Sequence, residues 1–343
     1  MPVRTIIVAA VLILGCSASL CAQGSGFAFR EDAAKKQIDL LYNGKVLTGY
    51  CYYDSVMKPV LFPLKTLSGV TITRGYPLDP RPGERVDHPH HIGLWMNYQD
   101  VEGLDFWNNS TAIKYDRRPR YGTIYHDKVI SKQASGEQAM LRVQALWKNH
   151  KKELLLTETT TYQFTVKGSD FIIDRTSSLK ASAGRDIPMH DIKDGFLAIR
   201  VARELELPSD ESAKVVDADG GVKEVKLSNE GVTGNYVSSE GLVGNDVWGT
   251  RATWVTLTGR KDNKNISVTI IDHPDNPGYP AYWHARGYGL FAVNPLGQAA
   301  FSDGKERLNL EIKKDESVTF RYRIVIHEGK ALTSDQVDAM ARF

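Results

Sequence analysis

Short runs of β-favouring residues, separated by polar or glycine-containing turns, constrain the fold of this chain more than any other feature. In the run 318–326, polar residues occupy alternate positions over the first part, which is the pattern of a strand with one face toward water. Asn43-Gly44 lies between two further runs and predicts a β-hairpin, because both residues tolerate the positive φ of a type I′ turn. Strands joined by such short turns favour antiparallel sheets.

Helical patterns are scarce in this sequence. The clearest lies near the C-terminus, where Thr333 and Gln336 fit a capping box for a short helix that reaches Met340. Strands do not alternate with long helices, so a parallel α/β sheet is not expected. We predict an all-β fold, a large antiparallel β-sandwich with a short C-terminal helix.

Residues 1–22 have the features of a secretory signal peptide. Arg4 precedes an apolar core that ends at Leu14, and the small residue Ala22 ends the segment. The core is shorter than the roughly 20 residues that a bilayer span requires. We therefore expect a periplasmic or secreted protein, with lipid attachment at Cys16 as the alternative.

Residues 23–343 are predicted to form a single large β-sandwich domain. Within it, the polar and glycine-rich segment 209–240 is interpreted as an insertion or a lid, since strand patterns resume after it without a linker. No other long apolar run follows the signal peptide, so no membrane span is expected.

Charge and motifs argue against several functions. The chain has 43 Lys and Arg against 41 Asp and Glu, and a formal net charge of +2 gives no indication of nucleic-acid binding. The sequence has no phosphate-loop motif, no dinucleotide fingerprint and no Gly-x-Ser-x-Gly elbow. We predict no cofactor, and a metal ion is kept only as an alternative.

Three of the nine histidines lie within four residues, in Asp87-His88-Pro89-His90-His91. In an extended segment, His88 and His90 would project to one face and His91 to the other. A single histidine is more often structural, but clustered titratable groups tend to mark sites of proton transfer or ligand binding. Metal binding by His88, His90 and His91 is the alternative to acid–base chemistry.

Carboxylates, aromatic rings and further histidines elsewhere complete a candidate site. Sugar rings stack their apolar faces on aromatic side chains, whereas carboxylates and imidazoles bind hydroxyl groups, so the set indicates a small carbohydrate or glycoside. The structural alternative is that the tryptophans belong to the core and that the arginine pairs with a carboxylate. The candidate catalytic residues are His90, His91 and His190, and the candidate substrate-binding residues are His88, Asp105, Trp107, Asp194, Arg200, Trp283, His284 and Asn294.

The motif from Asp87 to Trp95, followed by Asp105-Phe106-Trp107, resembles a bacterial family labelled methane oxygenase PmoA. Asp194-Gly195 and Asn294-Pro295 are similar to its later motifs. The membrane methane monooxygenase subunit of that name is a multi-helix protein, so the label does not describe a β-rich chain. The resemblance implies an exported protein of carbohydrate utilisation, with a large β-sandwich similar to that of the galactose mutarotase superfamily.

Three functions are consistent with these residues. The preferred hypothesis is an exported enzyme that processes a sugar or glycoside by His/carboxylate acid–base chemistry, of the epimerase, lyase or hydrolase type. The alternatives are a non-catalytic carbohydrate-binding protein and a His-ligated, metal-dependent oxygenase. The preferred hypothesis requires His90, His190 and His284, which are far apart in the sequence, to meet in one cleft.

Overall fold

Two eight-stranded antiparallel sheets make up most of this protein. The computed structural model describes residues 25–343, so the predicted signal peptide and Cys16 lie outside the described residues. In chain order the strands are β1 Phe27–Asp32, β2 Gln37–Tyr42, β3 Lys45–Cys51, β4 Val60–Leu61, β5 Leu94–Tyr98, β6 Thr123–Ser135, β7 Gln138–Lys148, β8 Leu154–Lys167, β9 Asp170–Ala181, β10 Ile187–Met189, β11 Gly195–Arg200, β12 Ser212–Val216, β13 Val222–Lys226, β14 Asn235–Ser238, β15 Trp254–Lys261, β16 Lys264–Asp272, β17 Tyr282–Arg286, β18 Leu290–Asn294, β19 Leu310–Ile312 and β20 Ser317–Glu328. The α-helices are α1 Gln298–Phe301 and α2 Ser334–Met340.

The first sheet has the strand order β1-β2-β3-β4-β5-β11-β18-β17, and the second has the order β14-β15-β16-β20-β9-β8-β7-β6. Two small pairs, β10-β19 and β12-β13, complete the strands. The prediction of an all-β, antiparallel sandwich with a short C-terminal helix is confirmed. The Asn43-Gly44 hairpin is also present, with both residues at positive φ between β2 and β3.

The main core lies between the two sheets. Alternate residues of β7, β8 and β9, among them Val143, Phe164 and Ile173, meet Met96 and Val293 of the first sheet. Each of these side chains is almost completely buried. Because burial of a large apolar side chain contributes about 1.5–3 kcal/mol, this layer is the principal stabilising contact of the fold.

The outer faces of the two sheets are covered differently. On the second sheet, Val337 of α2 packs on Trp254 and Val325, and the Trp254 indole donates a hydrogen bond to Asp338 at 2.7 Å. A reciprocal capping box between Thr333 and Gln336 begins this helix, as the sequence predicts.

On the first sheet, the loops between β3 and β5 and the loop after β5 form a second apolar layer. Segment 209–240 contains the hairpin β12–β13, whose residues Val216 and Lys214 bond the backbone of Gly83 and Val86 just before the histidine cluster. The described residues include no helix that is long and apolar enough to cross a membrane.

Candidate functional site

One row of side chains crosses four neighbouring strands on the outer face of the first sheet and ends at the edge strand β17. Trp95 of β5 lies opposite Ala198 of β11, which lies opposite Ala292 of β18, which in turn lies opposite His284 of β17. Directly paired residues of antiparallel strands project to the same face. The two alanines therefore form a low floor between the larger side chains of Trp95 and His284.

The histidine cluster adjoins this row through a tight turn. The His91 amide donates to the His88 carbonyl at 2.9 Å, and His88 has a φ of 43°. The segment is therefore a turn, and the division of faces that an extended segment would give does not apply. Instead the rings of His88 and His91 stack with centroids 4.7 Å apart, and His90 lies edge-on to both.

The chain leaves this turn at Gly93, a position where only glycine fits. Its φ is 61°, and a Cβ at this position would approach the carbonyl oxygen of Leu61 to 2.2 Å. Glycine has no Cβ and adopts positive φ at little cost. The cluster can therefore lie close to β4 while the chain continues into β5.

Asp87 and two buried arginines anchor the cluster. Asp87 Oδ1 accepts hydrogen bonds from Arg74 at 2.6 Å and from Arg200 at 2.7 Å, and its Oδ2 lies 3.1 Å from His88 Nδ1. Burial alone would raise the pKa of Asp87, but the bond with His88 and the charges of Arg200 and Arg74 hold it well below its usual range. Arg74 also donates to the carbonyls of His88 and His91. The turn is thus held by charge-assisted bonds.

The buried histidines of this region are uncharged. Burial, together with neighbouring cations, lowers the pKa of His90 to about 2 and that of His284 to about 3. Burial, with the adjoining His90 ring and the charge of Arg200, also holds the pKa of His91 well below its usual range. Arg200 lies 3.2 Å from His91 Nδ1, and a guanidinium can only donate, so the proton of this neutral ring is on Nε2.

Four imidazole nitrogens are buried without a hydrogen-bond partner in residues 25–343: His88 Nδ1, His90 Nε2, His91 Nε2 and His284 Nδ1. Of these, His88 Nδ1 lies 3.1 Å from the Asp87 carboxylate. Buried polar atoms in native proteins are nearly always bonded to protein, water or ligand. The other three nitrogens therefore mark positions where a bound molecule would complete the bonding.

Two carboxylates, Asp194 and Asp105, belong to the same region. Asp194 Oδ1 lies 3.7 Å from His284 Nδ1, which is beyond hydrogen-bond distance. Asp105 accepts bonds from the Asn108 amide and side chain at 2.8 and 2.9 Å. Burial raises the pKa of Asp105, and the nearby charge of Asp194 raises it further against the bonds from Asn108. The two acids are therefore close enough to influence one another.

Lys58 is a member of the site that sequence reasoning missed. Its Nζ donates to the His90 carbonyl at 2.7 Å and lies 5.3 Å from the centre of the Trp95 ring. Burial lowers the pKa of Lys58 to about 7, against the opposing charge of Asp105. The available signal was a lone lysine within the otherwise apolar run 56–61.

Tyr288 and Arg74 were also missed. The Tyr288 ring stacks on His88 at 5.2 Å, and the Arg200 guanidinium lies 4.8 Å from its centre. Neither residue lies in a motif that carries recognisable chemistry, and only the fold brings them to His88.

Four sequence predictions are corrected by the structure. The ring of His190 bonds Asp100 at 3.2 Å on the exposed surface and contacts none of the clustered rings in the described chain. Trp283 lies on the inner face of β17, fully buried in the main core, and Trp107 is buried beneath the cluster against Trp95. Asn294 donates to the carbonyls of Ile192 and Lys193, so it holds the loop before Asp194 and is not free to bind a ligand.

The remaining predicted residues lie on the outer side of the first sheet, some at the histidine cluster and some at the His284 end of the row. They are His88, His90, His91, Asp105, Asp194, Arg200 and His284. The alternative of a metal held by His88, His90 and His91 is not supported by this geometry, since two of the rings stack face to face. Within residues 25–343 no three His, Cys, Asp or Glu side chains are grouped as a metal site.

The fold is similar to parts of several solved structures. The GH36 α-galactosidase AgaA of Geobacillus stearothermophilus is 12% identical with a TM-score of 0.37, and 88% of this chain aligns with 40% of that one. A GalM/aldose epimerase homologue from C. elegans is 10% identical with a TM-score of 0.32, covering 89% of this chain and 99% of that one. A galactose mutarotase related enzyme from Lactobacillus acidophilus is 8% identical with a TM-score of 0.30, covering 88% and 97%.

This chain spans about two-fifths of the length of the α-galactosidase it matches. Identities this low transfer no residue roles to this protein. No curated protein matches the sequence. A family model matches residues 37–342, and the chain therefore belongs to the family of unknown function DUF6807.

Proposed function

We propose that the outer face of the first sheet is the reaction site of an enzyme that acts on a sugar or glycoside by proton transfer. Asp194 and His284 are the central acid–base pair, and His90 is a third proton-handling or hydroxyl-binding group. Asp87, Arg74 and Arg200 hold the histidine turn in place. The proposal covers the epimerase, lyase and hydrolase types of reaction.

The observation that supports this proposal most strongly is that ring nitrogens of His284 and His90 have no hydrogen-bond partner. Both rings are neutral, each has a buried nitrogen without a partner in the described chain, and Asp194 lies 3.7 Å from the free nitrogen of His284. A neutral imidazole beside a carboxylate can accept a proton and be stabilised once charged. A hydroxyl group of a bound sugar would satisfy the nitrogen and supply the proton.

Ring opening of a reducing sugar is the simplest reaction such a pair could catalyse. One group removes the proton from the hydroxyl on C1, a second protonates the ring oxygen, and the C1–O5 bond breaks to give the open aldehyde. No oxidant or cofactor is consumed. Elimination and hydrolysis need the same two roles, one group taking a proton and another returning it to a leaving oxygen.

We further propose that the protein acts after export, as residues 1–22 and the resemblance to the PmoA-labelled family suggest. Fractionation of cells that express the full chain tests this: the protein should be recovered shortened, outside the cytoplasm. Recovery of the full-length chain in the cytoplasmic fraction would contradict the proposal.

A panel of sugars tests the reaction. The similar proteins include an α-galactosidase and an aldose epimerase homologue, so the first compounds are reducing glucose and galactose, raffinose and 4-nitrophenyl glycosides. Conversion is followed by ¹H NMR. We expect His284→Gln and His90→Gln each to lower the rate roughly 100-fold, the usual contribution of a positioned acid or base.

His150→Gln is the matched control, because His150 is exposed on a loop of the second sheet and should leave the rate unchanged. If the wild type binds a sugar but converts none, the protein is a carbohydrate-binding protein and the enzymatic proposal is wrong. If His284→Gln retains the full rate, the assignment of the pair is wrong.

A further inference from the structure

A cavity of about 430 Å³ opens beside the candidate site. Its lining includes Tyr288, Arg286, Trp248, Asn245 and Glu211. Tyr288 belongs to both places, since its ring also stacks on His88 at 5.2 Å. A molecule that fills the cavity would therefore be in contact with a residue that touches the histidine cluster.

Trp248 provides an accessible aromatic surface in this cavity. Its side chain is 39% exposed, whereas Trp107 and Trp283, the tryptophans favoured from the sequence, are buried. A large indole left open to water next to polar groups is the usual construction of a platform for a ring with an apolar face.

Arg286 supplies the uncompensated charge of the cavity. Its guanidinium lies 5.3 Å from the centre of the Trp248 ring and 5.9 Å from that of Tyr288. In the part of the chain that the structure describes, no carboxylate forms an ion pair with it. The carboxylate of Glu211 in the same cavity is bound by Arg85 at 2.7 Å, so it is not available.

We propose that this cavity binds a second sugar residue that carries a carboxylate, as a uronic acid does. The inference rests on the proposed function of the adjoining site and narrows its substrate to an acidic oligosaccharide or glycoside. The sugar ring stacks on Trp248, and the carboxylate accepts two parallel bonds from Arg286, the geometry that a guanidinium favours. Ser209 and Glu211, at the start of segment 209–240, form one wall of the cavity.

Calorimetric titration of the full chain with three defined saccharides tests the proposal. Trigalacturonate presents carboxylates, galactotriose is its neutral counterpart, and neocarratetraose sulfate presents sulfate esters without carboxylates. We expect trigalacturonate to bind most tightly, and Arg286→Gln and Trp248→Ala each to weaken it roughly tenfold or more. Arg286→Gln should weaken galactotriose, which has no carboxylate, much less than it weakens trigalacturonate.

Two variants serve as matched controls. Arg142→Gln removes another exposed arginine, on the second sheet, and Tyr115→Ala removes another exposed aromatic ring. Neither should change the affinity for trigalacturonate. Far-ultraviolet circular dichroism confirms that all four variants are folded, which is expected because each altered side chain is exposed.

The outcomes separate this inference from the proposed function. If sugars are converted at the adjoining site but Arg286→Gln binds trigalacturonate as tightly as the wild type does, only the inference is wrong. If neocarratetraose sulfate binds and trigalacturonate does not, the carboxylate assignment is overturned. If no saccharide of either panel binds or reacts, both proposals are overturned together.

Discussion

Each of the two sheets presents a histidine–aspartate pair, and the two pairs are built in opposite ways. On the second sheet, His327 Nδ1 lies 2.7 Å from Asp170, and its Nε2 bonds the Lys330 carbonyl at 2.9 Å. On the first sheet, His284 Nδ1 lies 3.7 Å from Asp194 and has no partner. The residue types are the same. However, both ring nitrogens of His327 are hydrogen-bonded by the protein, whereas His284 Nδ1 is left without a partner. We infer that the fully hydrogen-bonded pair, His327 and Asp170, is structural and that the pair with the unpartnered nitrogen, His284 and Asp194, is functional.

The side chains around the two pairs also differ in how completely they depend on the protein for hydrogen bonds. Outside the second sheet, Thr159, Thr161 and Thr176 present small, partly exposed hydroxyl groups that solvent can satisfy. Outside the first sheet, buried arginines and neutral imidazoles lie side by side, and each depends on its neighbours for bonding. A substitution that breaks these bonds should therefore lower the free energy of unfolding far more on the outer face of the first sheet than on the outer face of the second.

The largest effect is expected from removal of the buried anchor. Arg200 is completely buried and bonds both Asp87 and His91. Arg200→Leu should lower the free energy of unfolding by about 3 kcal/mol, since the buried His91 Nδ1 loses its donor and Asp87 keeps only one of its two guanidinium partners, Arg74. Urea denaturation measures the change.

Arg323→Leu is its counterpart on the second sheet, where the arginine pairs with Asp174 at a partly exposed position. It should cost only about 1 kcal/mol. Equal losses of unfolding free energy in Arg200→Leu and Arg323→Leu would show that the side chains outside the first sheet do not depend on one another more than those outside the second.

The aspartates of the two pairs should separate activity from stability. Asp194→Asn should lower kcat/KM roughly 100-fold, about 2.7 kcal/mol, with a small change in stability because its side chain is partly exposed. Asp170→Asn should leave the rate intact and lower stability by about 1–2 kcal/mol through loss of a satisfied, charge-assisted bond. Steady-state kinetics and denaturation are measured on both proteins, and the reverse pattern would exchange the roles of the pairs.

A further difference is expected in the pH dependence of stability. The pKa of His284 is lowered from 6.5 to about 3, so the native state keeps this ring neutral while the unfolded chain protonates it. Stability contributed by the neutral ring is thus present above pH 6.5 and is lost as pH falls toward 3, by about 1.4 kcal/mol per pH unit. In His284→Gln, the dependence of unfolding free energy on pH between 6 and 4 should be shallower by about one proton.

Asp272 acts in the opposite direction, because burial raises its pKa to about 7, but its effect is common to wild type and variant and cancels. The control is His150→Gln, which should retain the wild-type slope. An unchanged slope in His284→Gln would mean that the ring is already accessible to protons in the native state.

The predictable parts of this protein were those encoded locally. The Asn43-Gly44 hairpin and the capping box at Thr333 depend on a few adjacent residues, and both are present as expected. The cluster from Asp87 to His91 was visible as a concentration of titratable groups within one segment. Its shape was not, because the turn depends on bonds from Arg74 and Arg200, which lie elsewhere in the sequence.

The choice of tryptophan failed for a reason of strand geometry. Trp283 and His284 are neighbours on β17, so they project to opposite faces, and only one of them can reach the site. Since residues 282–285 are all buried, alternation of burial could not show which face was the outer one. Lys58 and Tyr288 were missed because the importance of each depends on contacts with segments far away in sequence.

The two alanines between Trp95 and His284 have a consequence for how this scaffold could be altered. Adjacent strands are about 4.8 Å apart, so three steps across the sheet separate the two ends of the row by about 14 Å. That width is set by the hydrogen-bonded backbone of the first sheet, whereas Trp248 and the hairpin β12–β13 lie outside that sheet. Loop exchange should therefore change which molecules are accepted without moving the groups that react with them, which makes the protein a suitable starting point for engineered selectivity.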